Sequence, residues 1–230
     1  MLFRSLPKKR NKKNLKRDYI EATYDILCED GVEGFTIRKV AERVGCSSAA
    51  LYKHFSDAEH LLSLASVRYL SRYSEDTAFL SQLESDYLEM NLLLWESFAF
   101  YSFENIPIFE NLFFWKKTSK IQEIVLEYYA EFPEDLTKLS GYFKMIIQSN
   151  NLRERDFIML KRAADEGQLT LESADLLSRM DVYVFRGMLA AYRETYREAG
   201  VAKKATKEFV DILRKNYRLH LLDKAQSLDR

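Results

Sequence analysis

Hydrophobic residues in this chain return every third or fourth position. Ile37, Val40, Ala41 and Val44 form one such stripe, and Leu177, Met180, Val184, Gly187 and Ala191 form another. That period gathers side chains on one face of an α-helix, whereas the strict alternation of a half-buried strand is hard to find. Punctuation is sparse as well. There are three prolines in 230 residues and no glycine from Cys46 to Ser140, too few breakers for a strand-and-turn architecture. The pattern predicts an all-α fold, a three-helix head followed by a larger helical body.

Caps and breakers set the expected boundaries. The first helix runs from about Leu15 to Asp30 and is closed by Gly31 and Gly34; the second runs from Ile37 to Val44, with Thr36 as N-cap and Gly45 as terminator. The third runs from Ser48 to about His54 behind the cap Ser47. A fourth begins after Ser56, where Ser56-Asp57-Ala58-Glu59 fits a capping box, and extends to about Leu83. Further helices are expected near 86–104, 108–115, 119–131, 134–148 and 153–166, then at 171–199, stopped by Gly200, and 202–222. The expected domains are an arm over 1–13, a head over 14–56 and a body over 57–230.

The third helix has an unusual surface. At 100° per residue, Leu51 and Phe55 share one face and can hold the helix on its neighbours. Ala49 and Lys53 point directly away, flanked by Ser48 and Tyr52 on one side and by Ala50 and His54 on the other. Small residues let a helix backbone approach the floor of a DNA groove, while Tyr52, Lys53 and His54 can reach phosphates or base edges and the Ala50 methyl a thymine methyl. Two short helices joined by Gly45-Cys46-Ser47 match a helix-turn-helix, whose second helix enters the major groove. The plain alternative is an αα-corner that only packs.

Charge sharpens the choice. The chain has 35 basic and 35 acidic residues, but its first 17 residues carry eight Lys or Arg, Lys12 and Lys13 among them, and no acid. A basic arm on an otherwise acidic chain fits local attraction to a polyanion; a solvated tail fits the composition equally.

At this point the segment GFTIRKVAERVGCSSAALYKHFSDAEHLL, Gly34 to Leu62, resembles the DNA-binding signature of the TetR family of bacterial one-component regulators. The resemblance extends back through EATYDILCEDG of the first helix, so it covers about the first 62 residues. It implies that Thr36 is a phosphate-contacting cap, that Ser48, Ala49, Ala50 and Lys53 read bases, and that Tyr52 and His54 touch phosphates; Arg38 and Lys39 are further backbone contacts. Two positions depart from the family pattern: Ala49-Ala50 stands where Gly-Thr is frequent, and Ala58 where lysine is usual. Losing that lysine shifts expected salt-dependent affinity onto the arm, through Lys12 and Lys13.

In the body, Trp95 to Trp115 holds nine aromatics in 21 residues. By analogy with the family, helices here surround an effector pocket, and an aromatic lining suits an apolar or flat small molecule. Most of these rings are expected simply to fill the core, with Trp95, Phe98, Tyr101 and Phe103 as the ones that touch a ligand. Near the C-terminus, Met180, Tyr183, Val184, Gly187 and Ala191 mix small and large residues as a self-complementary seam requires, and the resemblance implies a homodimer through the last two long helices.

The remaining chemistry narrows the function classes. No apolar run approaches the roughly 18 residues of a membrane span, and the N-terminus lacks the pattern of a signal peptide, so a cytoplasmic location is expected. Cys28 and Cys46 lie in no metal-ligand spacing and are expected to be small buried hydrophobes. There is no Gly-rich phosphate loop, nucleophile elbow or His/Cys cluster, and His54, His60 and His220 are scattered; no enzyme activity, cofactor or metal is expected. The leading expectation is a homodimeric repressor released from a palindromic operator in double-stranded DNA by a small molecule. The alternative is a nucleoid-associated or cell-division factor with the same head, whose body binds a protein partner.

Overall fold

A computed structural model describes residues 15–70, 86–114, 121–137 and 151–222. Among them all regular structure is helical, and the chain divides into two compact units, 1–65 and 66–230. No helix among the described residues is long and apolar enough to cross a membrane.

The head contains α1 (Leu15–Asp30), a single 3-10 turn at Val32–Gly34, α2 (Ile37–Val44), α3 (Ser48–Leu51) and the start of α4 (Ala58–Val67). Its core is small: Tyr19, Ile20, Ile26, Leu27, Val40, Ala41, Val44, Leu51, Phe55, Leu61 and Leu62 are buried. α2 ends in a Schellman motif. Gly45 adopts left-handed φ 71°, ψ 34°, so its N–H reaches the Glu42 carbonyl at 3.0 Å and the Cys46 N–H reaches that of Ala41 at 2.9 Å. Only glycine takes this conformation freely. Gly45→Ala should therefore cost about 1 kcal/mol of head stability, measured as a lowered denaturant midpoint at unchanged slope. Gly34 answers a different need, because a Cβ there would lie 2.2 Å from the Cβ of Asp30.

Three local expectations are corrected. The α-helix expected at Ser48 to His54 ends at Leu51; Lys53 and His54 donate instead to carbonyls three residues back, Ala50 at 3.3 Å and Leu51 at 2.9 Å, tightening the backbone into turns. The capping box is one residue later than expected. Asp57 Oδ1, not the Ser56 hydroxyl, accepts from the His60 N–H at 2.8 Å, and His60 Nδ1 accepts from the Ser56 N–H at 3.3 Å. The cysteines are not core residues either: Cys28 is exposed and Cys46 half-buried, because Ile26 and Leu27 take the inward face of α1 and Cys28 turns past them.

The body contains α5 (Tyr87–Glu104), α6 (Ile106–Phe113), α7 (Ile121–Glu131), α8 (Pro133–Thr137), α9 (Leu152–Asp165), α10 (Leu171–Tyr192) and α11 (Val201–His220). α11 lies along α5, and α9 packs on both α5 and α10. Phe185 of α10 is the ring about which this core is arranged, with Trp95, Phe98, Phe103 and Phe209 centred 5.4, 5.5, 6.0 and 5.5 Å from it. Such tilted and edge-on pairs add to the burial of the rings themselves. α10 stops at Tyr192, short of the expected Ala199; tightened turns follow, such as the bond from the Glu198 N–H to the Thr195 carbonyl at 2.9 Å. Gly200, at φ 83°, then opens α11. The expected extensions of α4 to Leu83 and of α8 to Gln148 fall outside the described residues, as do Trp115, Lys12 and Lys13.

Candidate nucleic-acid interface

The interface candidates lie on two capped helices. Thr36 precedes α2 in extended geometry, and its hydroxyl accepts from the Lys39 N–H at 3.2 Å. Ser47 does the same for α3, accepting from the Ala50 N–H at 3.2 Å. Both caps satisfy amide donors that a helix start otherwise leaves open. With Leu51 and Phe55 buried, α3 is pinned from one side and presents the other. Ala49 and Lys53 are exposed, Tyr52 is 54% exposed, and Ser48 and Ala50 are half-buried.

The cations differ in availability. Lys53 is exposed. Arg38 pairs with Glu42 at 2.9 Å, but both side chains are largely in water, so the pair is weak and can be exchanged for a phosphate. Lys39 is held by Asp30. Arg43, not among the expected contacts, is occupied by Glu29, whose carboxyl it hydrogen-bonds and holds below its ordinary range.

His54 behaves differently from its neighbours. Its ring lies 6.1 Å from that of Tyr19 and 6.3 Å from that of Phe55, and the residue is half-buried. The tightened turn after Leu51 directs the imidazole toward the head's own aromatic cluster. At the α-helical angle His54 falls about 60° from Leu51, nearer the buried face than Lys53, and the tightened turn brings it closer still.

In the body, Trp95 and Phe98 line a cavity of about 20 Å³ together with Asn91, Leu94, Leu152, Arg155 and Asp156. This holds about one water, far below the volume a drug-sized ligand needs. Phe103 is buried against Phe185 and away from that lining, and Tyr101 stands edge-on to Phe100 at 5.7 Å. The rings mostly fill the core. Sequence reasoning missed Arg155, whose guanidinium lies 4.9 Å from the centre of the Phe98 ring and 5.8 Å from that of Phe113. It also missed Asp156 and Asp181. Their signal was present: each is an acid in register with apolar neighbours, Leu152 and Met159 for the first, Leu177 and Phe185 for the second.

The seam candidates lie on the outward side of α10. Tyr183 is 71% exposed, Gly187 and Ala191 are exposed, and Met180 and Val184 are half-buried. A Cβ built on Gly187 meets nothing within 4 Å.

Comparison with known proteins adds to this geometry. Residues 20–65 match the model of the bacterial regulatory proteins, tetR family. The tetracycline repressor protein class A from transposon 1721 of Escherichia coli is 51% identical over 43 residues, 19% of this chain and 20% of that repressor. The HTH-type transcriptional repressor AcnR of Corynebacterium diphtheriae is 31% identical over 71 residues, 31% of this chain and 34% of that one. The chain thus spans between a fifth and about a third of these relatives' own length. The crystal structure of RolR in complex with resorcinol superposes with a TM-score of 0.57 over 92% of this chain and 90% of its own, at 15% identity, a likeness of fold.

Proposed function

Since the head is a TetR-family DNA-binding domain, we propose that the chain is a transcriptional repressor that binds a palindromic operator as a homodimer and is released by a small molecule. The observation that carries this reading is α3 with the turns that follow it, pinned by the buried Leu51 and Phe55 and presenting small residues and Lys53 outward, inside the segment that matches the family. In the major groove, Ala49 and Ala50 permit close backbone approach, Lys53 and Ser48 meet base edges, and Thr36, Tyr52 and Arg38 meet phosphates. His54 serves the head's packing more than the contact. Relatives bearing the same head are named as repressors, which favours regulation over an architectural role.

Dimerisation through the outward stripe of α10 would set two copies of α3 about one turn of DNA apart. An effector then acts only by binding the released form better than the DNA-bound form. Between Trp95, Phe98 and Arg155 there is room for about one water, so a ligand entering at that point must displace these side chains.

Gel shifts with DNA upstream of the protein's own and neighbouring genes test the proposal, and binding no tighter than to random DNA would refute it. Lys53→Ala should weaken specific binding by about 1–3 kcal/mol with little change at unrelated sequences. Replacing Lys12 and Lys13 should lower the slope of affinity against salt, by roughly one for each phosphate no longer neutralised. Gly187→Glu should leave the chain folded but monomeric by sedimentation, since the new carboxylates would face each other across a two-fold axis.

A further inference from the structure

Four helices of the body meet at a polar cluster within an otherwise aromatic core. Asp156 of α9 is 4% exposed and Asp181 of α10 is 0% exposed. Asp156 Oδ1 accepts from Asn91 Nδ2 at 2.7 Å and from Trp95 Nε1 at 2.6 Å, both on α5. Asp181 Oδ2 accepts from the Tyr217 hydroxyl of α11 at 2.6 Å, and that hydroxyl accepts from Asn91 Nδ2 at 2.8 Å. The side-chain donors bonded to the two acids all reach one oxygen of each, while the Nε of Arg155, next to Asp156 in sequence, is buried without an acceptor. The other two oxygens, Asp156 Oδ2 and Asp181 Oδ1, are buried without a donor, and the two carboxyls interact with each other.

Two buried acceptors with no donor between them are costly, and two adjacent buried carboxylates repel. A single proton removes both penalties at once. We propose that Asp156 and Asp181 share one proton, and that this proton is a structural component of the body that makes the packing of α5, α9, α10 and α11 sensitive to pH.

The surroundings support a proton as the occupant. The groups acting on the pair from the packed elements are Asn91 and Trp95 on α5, Arg155 beside Asp156 on α9, and Tyr217 on α11; no histidine or lysine is among them. No group of three or more metal-ligating side chains occurs among the described residues. Desolvation raises both carboxyls above the ordinary range, and for Asp181 the neighbouring Asp156 raises it further. The pair titrates as a unit. Three of its members or partners, Asn91, Trp95 and Asp156, also line the small cavity, so whatever opens that cavity also disturbs the proton.

The sign of the linkage follows. The folded chain keeps a proton that the unfolded chain loses near pH 4, so the contribution is intact below that pH and declines as pH rises toward the folded pair's own titration. Each pH unit in that window lowers the folding equilibrium constant by up to about tenfold relative to a chain lacking the second acid.

Asparagine separates this arrangement from alternatives. In Asp156→Asn or Asp181→Asn the amide N–H₂ can stand where the shared proton stood, and the oxygen keeps the existing acceptor role. Chemical denaturation of the full-length protein, the two single variants and the double variant at pH 5, 7 and 8.5 is the test. Each single variant should equal or exceed the wild type in stability, with the advantage widening as pH rises. The double variant, with two amide donors face to face and no acceptor, should fall below both singles. Single variants destabilised equally at every pH, or a double variant with purely additive effects, would overturn the shared proton.

Discussion

Ala49→Glu is expected to abolish specific DNA binding while leaving the head folded. Ala49 is exposed in the first turn of α3 and contributes nothing to the core, so the longer side chain has room in the free protein. Against DNA it would bring a carboxylate into a groove bounded by phosphates, where a juxtaposed like charge costs several kcal/mol. A loss of roughly 3 kcal/mol lowers affinity by at least about 100-fold. Gel shift or fluorescence anisotropy at constant salt checks it, with Ala49→Ser as the companion variant expected to stay within about tenfold. Binding of Ala49→Glu at the wild-type level would mean that this face of α3 does not meet DNA.

Phe55→Ala should have the largest effect on stability. The ring is 2% exposed and packs edge-on against Tyr19 at 6.0 Å and His60 at 5.8 Å, closing the head core from the chain end of α3. Removing a buried phenylalanine costs about 3–5 kcal/mol, comparable with the whole stability of a small domain. The two units can be followed separately, because both tryptophans, 95 and 115, lie in the body. Tryptophan fluorescence should keep its midpoint while far-ultraviolet circular dichroism reports early loss of part of the helix and DNA binding disappears. A wild-type circular dichroism transition in this variant would contradict the role given to Phe55.

The head was legible in the sequence where its determinants are local. Thr36, Gly45 and Ser47 act within three to five residues of themselves, and each caps or terminates the helix that its neighbours predicted. Local reading failed where two residues of similar aptitude adjoin, as with Ser56 and Asp57, either of which can cap; His60 decides between them by accepting from the Ser56 N–H. It failed also after Leu51, where the packing of His54 on Tyr19, 35 positions earlier, accompanies the tightened turn. The aromatic run from Trp95 announced a core, but its main partner, Phe185, lies 90 residues from Trp95. Asp156 and Asp181 were individually visible as acids in apolar stripes, yet nothing in either stripe indicates that one hydrogen-bond network, through Asn91 and Tyr217, joins them. Such coupling is created by the fold alone.

The stripe on α10 has a consequence for how this protein must be handled. Tyr183 is 71% exposed, and Leu219 on α11 is 83% exposed, so solvent covers them when the chain is alone. If a second copy covers the α10 stripe as proposed, folding and association become one equilibrium, and robustness depends on how much protein is present. A dilute sample would melt earlier than a concentrated one of identical purity, and operator DNA that holds two subunits together would shift the midpoint upward in the same way.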